Sequence, residues 1–174
     1  AVEIDAVAAL VLLRIAKDAE FKMEVSDSTI RSMEELLKTT SSKAGSNWET
    51  LCQSGATALL RRQVRLTFLE RFSFDVPLIR ALLKQKADPQ ATVDIAGTDA
   101  RGRGTVPILS LTAGSDPRYQ DGRDQLVLNM LLQASASPNM PDRSGDPPLW
   151  WAISRSNPGT VKTLVEGGAA WPSD

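Results

Sequence analysis

The chain has 174 residues, of which 42% are hydrophobic and 24% are charged, and its formal net charge is −1. This length permits one domain or a short repeat array, and the balanced charge gives no overall field that would attract nucleic acid or an anionic membrane. The sequence has no histidine and a single cysteine, Cys52. It therefore excludes Ser–His and Cys–His nucleophile pairs, ordinary zinc sites and an intrachain disulfide.

The first 45 residues predict an N-terminal helical segment. Residues 1–24 and 28–38 each carry apolar side chains at the three- and four-residue spacing that lines one face of a helix. Residues 39–45 are small and polar, which is typical of a linker. The segment is either a terminal cap or a degenerate member of the repeats that follow it, and the sequence does not decide between these alternatives.

The longest apolar run, residues 6–13, is much shorter than the ~20 residues that a membrane-spanning helix needs. We therefore expect no membrane span. The chain begins at Ala1 rather than at a methionine. We expect an intracellular protein. A location in an organelle, reached after removal of a targeting peptide, stays open. The sequence does not identify the compartment.

Three segments after Gly55 share one spacing pattern. Leu131 and Ala136 recur 33 positions later as Leu164 and Ala169, and Leu82 precedes Ala87 at the same spacing. A fixed period of about 20–50 residues indicates stacked repeats, each a helix pair too small to bury its own apolar face. The residues predicted to form the continuous core are Leu82, Leu83, Leu131, Leu132, Leu164 and Val165.

At residues 142–169 the sequence resembles the ankyrin repeat. The family pattern is Asp-x-x-Gly-x-Thr-Pro-Leu-His-x-Ala, followed by a second helix with a Val/Ile pair and a Leu-Leu pair, then Gly-Ala-Asp-x-Asn. The matching residues, without a gap, are Asp142, Gly145, Pro148, Leu149, Ala152, Val161, Leu164, Val165, Gly168 and Ala169. Trp150 departs from the pattern, because the family usually has histidine there.

Two further copies of the pattern begin at Gly55 and Gly104, each with eight extra residues before its leucine pair. The resemblance covers residues 55–174 and implies an all-α, ankyrin-type helical solenoid of about three repeats. We predict a repeat array over residues 46–174, with insertions at about 91–104 and 113–124, behind the additional N-terminal helical segment of residues 1–45.

The resemblance implies a concave protein-binding face made by loops and first helices. The predicted partner-binding residues are Arg101, Arg103, Arg118, Tyr119, Trp150, Arg155 and Trp171. Trp151 falls on a position that packs between repeats. Arg101 and Arg103 flank Gly102 in the first insertion and offer charge to a phosphate or carboxylate, but no phosphate-binding motif accompanies them, which favours a solvated loop.

The second insertion gathers Asp116, Asp121 and Asp124, whose spacing does not fit a calcium-binding loop. We expect no metal, no cofactor and no catalytic residue. The predicted function is a non-catalytic protein–protein interaction module, as a scaffolding subunit of a larger protein assembly. Within residues 1–174 no further repeat follows the last predicted helix, and we expect something else to cover the layer of Leu164.

Two other functions stay open. The first is a free, reversible adaptor that recognises a protein partner through the concave face. The second, more remote, is an enzyme or phospholigand binder that uses the loop at 99–104. We expect no direct nucleic-acid partner, and the sequence does not identify the protein partner or say whether its binding is permanent.

Overall fold

The structure, a computed structural model, describes Val11, residues 48–95 and residues 104–171. Val11 is helical and fully buried. The rest of the predicted N-terminal segment, the linker at 39–45, and both Arg101 and Arg103 lie outside the described residues. The boundary between the segment and the repeat array therefore stays a prediction.

The described residues are mainly helical, which confirms the predicted mainly-α class. The helices are α1 (Trp48–Glu70), α2 (Val76–Lys84), α3 (Ile108–Ala113), α4 (Arg123–Gln133), α5 (Pro148–Ser154) and α6 (Pro158–Glu166), with a short 3-10 helix at Pro117–Tyr119. A short pair of strands accompanies the helices, at the first insertion. There, β1 (Thr92–Asp94) pairs antiparallel with β2 (Thr105–Pro107), with Val93 opposite Val106. The β-branched residues on both sides favour this extended pairing.

Several helices begin where the sequence provides a cap. Asp75 accepts a hydrogen bond from the backbone N–H of Leu78 at 3.0 Å, at the start of α2. Asn157 accepts one from Thr160 N at 3.2 Å, and Pro158 follows it as the first residue of α6. These contacts satisfy backbone donors that the first helical turn leaves without partners.

Backbone contacts divide the chain into two compact units, one comprising residues 1–60 and 80–88 and the other residues 61–79 and 89–174. In the first unit the described core includes Cys52, Ala56, Leu60 and Leu82, all buried. Cys52 is a free, buried thiol, as expected for a small apolar residue. Thr57 accepts a hydrogen bond from the backbone N–H of Asp88 at 2.8 Å within this unit.

The second unit contains two stacked helical hairpins. Helix α3 packs on α4 and α5 packs on α6, while α3 also packs on α5 and α4 on α6. Their shared core is aliphatic, and its fully buried members include Ile108, Leu111, Val127, Leu128, Leu131, Leu149, Ala152 and Leu164. Each hairpin thus buries one face against its neighbour, which is how short helix pairs obtain a core.

The prediction for the leucine pairs is confirmed at the first member of each pair. Leu82, Leu131 and Leu164 are fully buried, whereas Leu83 and Leu132 are half-buried. The prediction for Val165 was wrong, since its side chain is 38% exposed. Its spacing matched a core position, but no described segment of the chain lies over it.

The second helices of the three predicted repeats end in the same way. In each, a residue with a positive φ angle is followed by an alanine whose backbone N–H reaches back five residues to the first leucine carbonyl. The positive-φ residues are Lys86, Ser135 and Gly168, and the hydrogen bonds are Ala87 N to Leu82 O at 3.1 Å, Ala136 N to Leu131 O at 2.9 Å and Ala169 N to Leu164 O at 2.9 Å. This Schellman-type turn stops each helix at an equivalent point.

Candidate functional site

An open, mostly apolar groove of about 660 Å³ lies on α5, α6 and the residues just after α6. We call it the C-terminal groove. Its lining residues are Ile153, Ser156, Asn157, Pro158, Val161, Lys162, Val165 and Trp171. Ile153 is 45% exposed and Trp171 is 63% exposed, so together with Val165 the groove presents three large apolar side chains to solvent. Such a concentration of exposed apolar surface is typical of a protein-binding site.

The local fold fixes the position of these side chains. Val161 and Val165 are four residues apart and therefore share one face of α6. Helix α5 ends in a turn in which Ser156 has a φ of 51° and Asn157 N donates to the Ala152 carbonyl at 3.2 Å. This turn leads directly into the capped start of α6, so that Ile153 lies beside the valines.

A buried polar network holds α6 against α4. Asp124, in the first turn of α4, is only 2% exposed. Its Oδ2 accepts hydrogen bonds from Asn157 Nδ2 at 2.5 Å and Thr160 Oγ1 at 3.2 Å, and its Oδ1 accepts one from Gln125 N at 2.9 Å. The sequence places Asp124 at the end of the second insertion; in the structure α4 begins at Arg123 and carries Asp124 into the core.

The rest of the second insertion is anchored by Gln120, which is 1% exposed. Its side-chain oxygen accepts from Phe74 N at 3.2 Å and its amide nitrogen donates to the Phe72 carbonyl at 3.0 Å. The insertion therefore packs on the segment between α1 and α2. A second, polar cavity of about 520 Å³ lies beside it, lined by Ser73, Phe74, Asp75, Val76, Pro77, Arg123 and Leu126.

Arg118 and Tyr119 lie together on the exposed 3-10 helix, outside the C-terminal groove. The Arg118 guanidinium bonds both oxygens of Asp116, at 3.0 and 2.6 Å, and lies 5.9 Å from the centre of the Tyr119 ring. The side-chain hydrogen bonds from Arg118 lower the pKa of the Asp116 carboxyl to about 2. Tyr119 is 43% exposed, so this pair forms a second exposed patch.

Trp151 is buried, as predicted. It is 3% exposed and packs edge-on against Phe68, with ring centres 5.7 Å apart. Its indole N–H donates to the Asp142 carboxyl at 3.2 Å. Trp150 is half-buried and packs edge-on against Trp151. Arg155 is exposed, and its guanidinium lies 5.8 Å from the centre of the Phe68 ring.

Of the five predicted partner-binding residues that the structure describes, only Trp171 lies in the C-terminal groove. Arg118 and Tyr119 form a separate patch, and Trp150 and Arg155 belong to the aromatic cluster around Phe68. Ile153 was not among the predicted residues, and Val165 was predicted to lie in the core. The signal that could have found them is the comparison with the preceding repeat, since Val165 repeats the position of the half-buried Leu132 with its side chain 38% exposed.

No protein-family model matches the chain, and no curated protein matches its sequence. Within the described ranges, no helix has the length and apolar character to cross a membrane. The same part of the chain contains no cluster of three or more side chains suited to hold a metal ion.

Proposed function

We propose that the chain is a non-catalytic, ankyrin-type repeat protein that serves as a structural subunit of a larger protein assembly, attached through the C-terminal groove. The observation that carries the proposal is the joint exposure of Ile153, Val165 and Trp171 in one groove. Exposed apolar side chains gathered in this way are expected to be buried by another macromolecule. Tryptophan, here Trp171, is one of the residue types that most often anchor such an interface.

The ankyrin-type part of the proposal is supported by a hydrogen bond that recurs between adjacent repeats. The side-chain oxygen of Gln90 accepts from Ser137 N at 3.3 Å, and the side-chain oxygen of Asn139 accepts from Ala170 N at 2.7 Å. Ser137 and Ala170 are 33 residues apart, which is the sequence period. Gln90 and Asn139 thus occupy the same position in two successive turns, and each one bonds its turn to the next turn.

The character of the groove favours permanent attachment over reversible capture. Among the described residues that line it, Lys162 alone is charged, and its i,i+4 ion pair with Glu166 is long, at 3.8 Å, and solvent-exposed. Permanent interfaces are more hydrophobic than transient ones. A reversible adaptor would instead depend on exposed polar groups such as Arg118 and Tyr119, whose charge and hydrogen bonds make binding sensitive to salt.

Purification of the tagged full chain from its native source, followed by size-exclusion chromatography in high salt, tests this function. The natural chain is expected to elute in a large particle with stoichiometric neighbours. Ile153→Asp and Val165→Asp should elute free of it, because an aspartate in an apolar interface is left without a partner. Leu126→Asp is the matched control, since Leu126 is 55% exposed but lies outside the groove.

Unchanged far-ultraviolet circular dichroism and melting of the groove variants would show that binding, and not folding, was lost. Salt-sensitive, substoichiometric partners of the natural chain would instead identify an adaptor. A particle that retains the groove variants as well as it retains Leu126→Asp would show that the groove is not the attachment site.

A further inference from the structure

In the second unit the α5–α6 hairpin packs on the α3–α4 hairpin, and this contact shows how the fold covers the outer face of a helical hairpin. Leu132 on α4 lies against Gly167, just after α6, where a Cβ would come within 2.7 Å of Leu132 Cδ1. A Cβ on Gly159 of α6 would likewise overlap the Gln125 amide. The α5–α6 hairpin thus covers α4 with two glycines that allow α4 side chains to contact its backbone closely.

The C-terminal groove carries the equivalent positions one repeat later. Val161 and Val165 follow Leu128 and Leu132 by the 33-residue period. Leu128 is fully buried and Leu132 is half-buried beneath the α5–α6 hairpin, whereas Val165 is 38% exposed.

The first helices show the same contrast. When Gly104 is aligned with Gly145, Ile153 corresponds to Thr112, which is fully buried while Ile153 is 45% exposed. The groove therefore has the positions of a stacking face, and within the described residues no hairpin covers it.

We infer that the C-terminal groove receives an α-helical hairpin of a partner protein, stacked on α5 and α6 in the way that this pair stacks on α3 and α4. This inference rests on the proposed function and names the partner by its chemistry. The turn after its second helix places glycine or alanine over Val165, as Gly167 lies over Leu132. Its first helix is apolar where it meets Ile153 and Trp171, and an acidic side chain pairs with Lys162.

An extended chain that supplies such a hairpin in cis tests the inference without the natural partner. Residues 139–171 are repeated directly after Trp171, which preserves the 33-residue spacing and keeps Trp171 in the groove. In the added copy, the positions of Ile153 and Val165 are changed to aspartate, so that its own outer face is polar like that of a solenoid cap. The tether keeps the added hairpin at a high effective concentration beside the groove.

The added hairpin should raise the melting temperature by on the order of 5 °C, because repeat interfaces contribute to stability in nearest-neighbour fashion. Val165→Asp in the original hairpin should leave the melting temperature of the natural chain almost unchanged and remove the gain from the extended one. The extended chain, with its groove occupied, should also elute free of the native particle.

Other results overturn the inference. An extended chain that melts like the natural one, with no added effect of Val165→Asp, would show that the groove does not accept a helical hairpin. Concentration-dependent dimerisation of the natural chain, abolished by Val165→Asp, would identify a second copy as the occupant. An extended chain that gains stability but still joins the particle would place the partner elsewhere.

Failure of the inference is distinguishable from failure of the proposed function. If Val165→Asp loses the particle while the extended chain shows no stacking, the groove binds a protein that is not a helical hairpin. If neither change affects the particle, the proposed attachment site itself is wrong.

Discussion

Asp124→Ala tests whether the buried polar network between α4 and α6 holds the two hairpins of the second unit together. The Asp124 carboxyl accepts three hydrogen bonds, two of them from buried side chains of the other hairpin, Asn157 and Thr160. Asn157 is 5% exposed and Thr160 is fully buried, so water cannot readily replace the lost acceptor. The amide of Asn157 cannot turn away at no cost, because its oxygen caps α6 through Thr160 N.

The expected loss follows from these contacts. Each buried donor left without an acceptor costs about 1–3 kcal/mol, and the Thr160 hydroxyl recovers part of its share by rotating. We therefore expect Asp124→Ala to lower the free energy of unfolding by about 3 kcal/mol, or the melting temperature by roughly 6–12 °C. Asp124→Asn retains one acceptor oxygen and should cost about 1–2 kcal/mol.

Urea denaturation followed by circular dichroism measures these differences, and a double-mutant cycle with Asn157→Ala isolates the bond between the two side chains. The cycle should give a coupling of at least about 1 kcal/mol. Glu166→Ala is the control, since it also removes a carboxyl group but from an exposed site. If Asp124→Ala changed stability no more than Glu166→Ala, or if the coupling were zero, the Asp124 network would not hold the two hairpins together.

Three further changes test other contacts. Gly114→Ala should lower the free energy of unfolding by about 1–3 kcal/mol, because its Cβ would lie 2.6 Å from the ring of the buried Trp151; an unchanged urea midpoint would contradict this. The Asp116 carboxyl should titrate near pH 2 by NMR, and Arg118→Ala should return its pKa toward 3.8. Because the folded-state pKa is depressed, the stabilising contribution of this pair is present above pH 3.8 and is lost as the pH falls through about 2. Asn139→Ala removes two side-chain hydrogen bonds to the turn after α6 and should cost about 0.5–1.5 kcal/mol, with faster hydrogen exchange in that turn; unchanged exchange would show that the bonds do not order it.

The features that the sequence predicted correctly depend on local spacing. The first leucine of each pair and the turn that follows it recur at a constant distance, so Leu82, Leu131 and Leu164 could be recognised as buried without knowledge of their neighbours. Trp151 was recognised in the same way, from its position in the repeat pattern. A side chain that any two-helix unit must bury is identified by its period alone.

The features that it missed depend on neighbours distant in the sequence. Asp124 follows a polar, charged loop and resembles a solvated acid, yet its partners Asn157 and Thr160 lie 33 and 36 residues away. The β1–β2 pair joins two short segments across a glycine-rich stretch with little periodicity of its own. Burial of a charged side chain and pairing of short strands are both decided by which segments meet.

Leu132 and Val165 separate the effect of local spacing from the effect of distant neighbours. They occupy the same position of the repeat and differ in what covers them. Leu132→Asp should lower the free energy of unfolding by about 2–3 kcal/mol, since its side chain contacts the backbone at Gly167 and an aspartate there loses both packing and hydration. Val165→Asp should change it by no more than about 0.5 kcal/mol, because the side chain is already 38% exposed. Urea denaturation of the two variants side by side measures the difference. Equal losses would mean that Val165 is covered in the folded chain and that the C-terminal groove is not open to a partner.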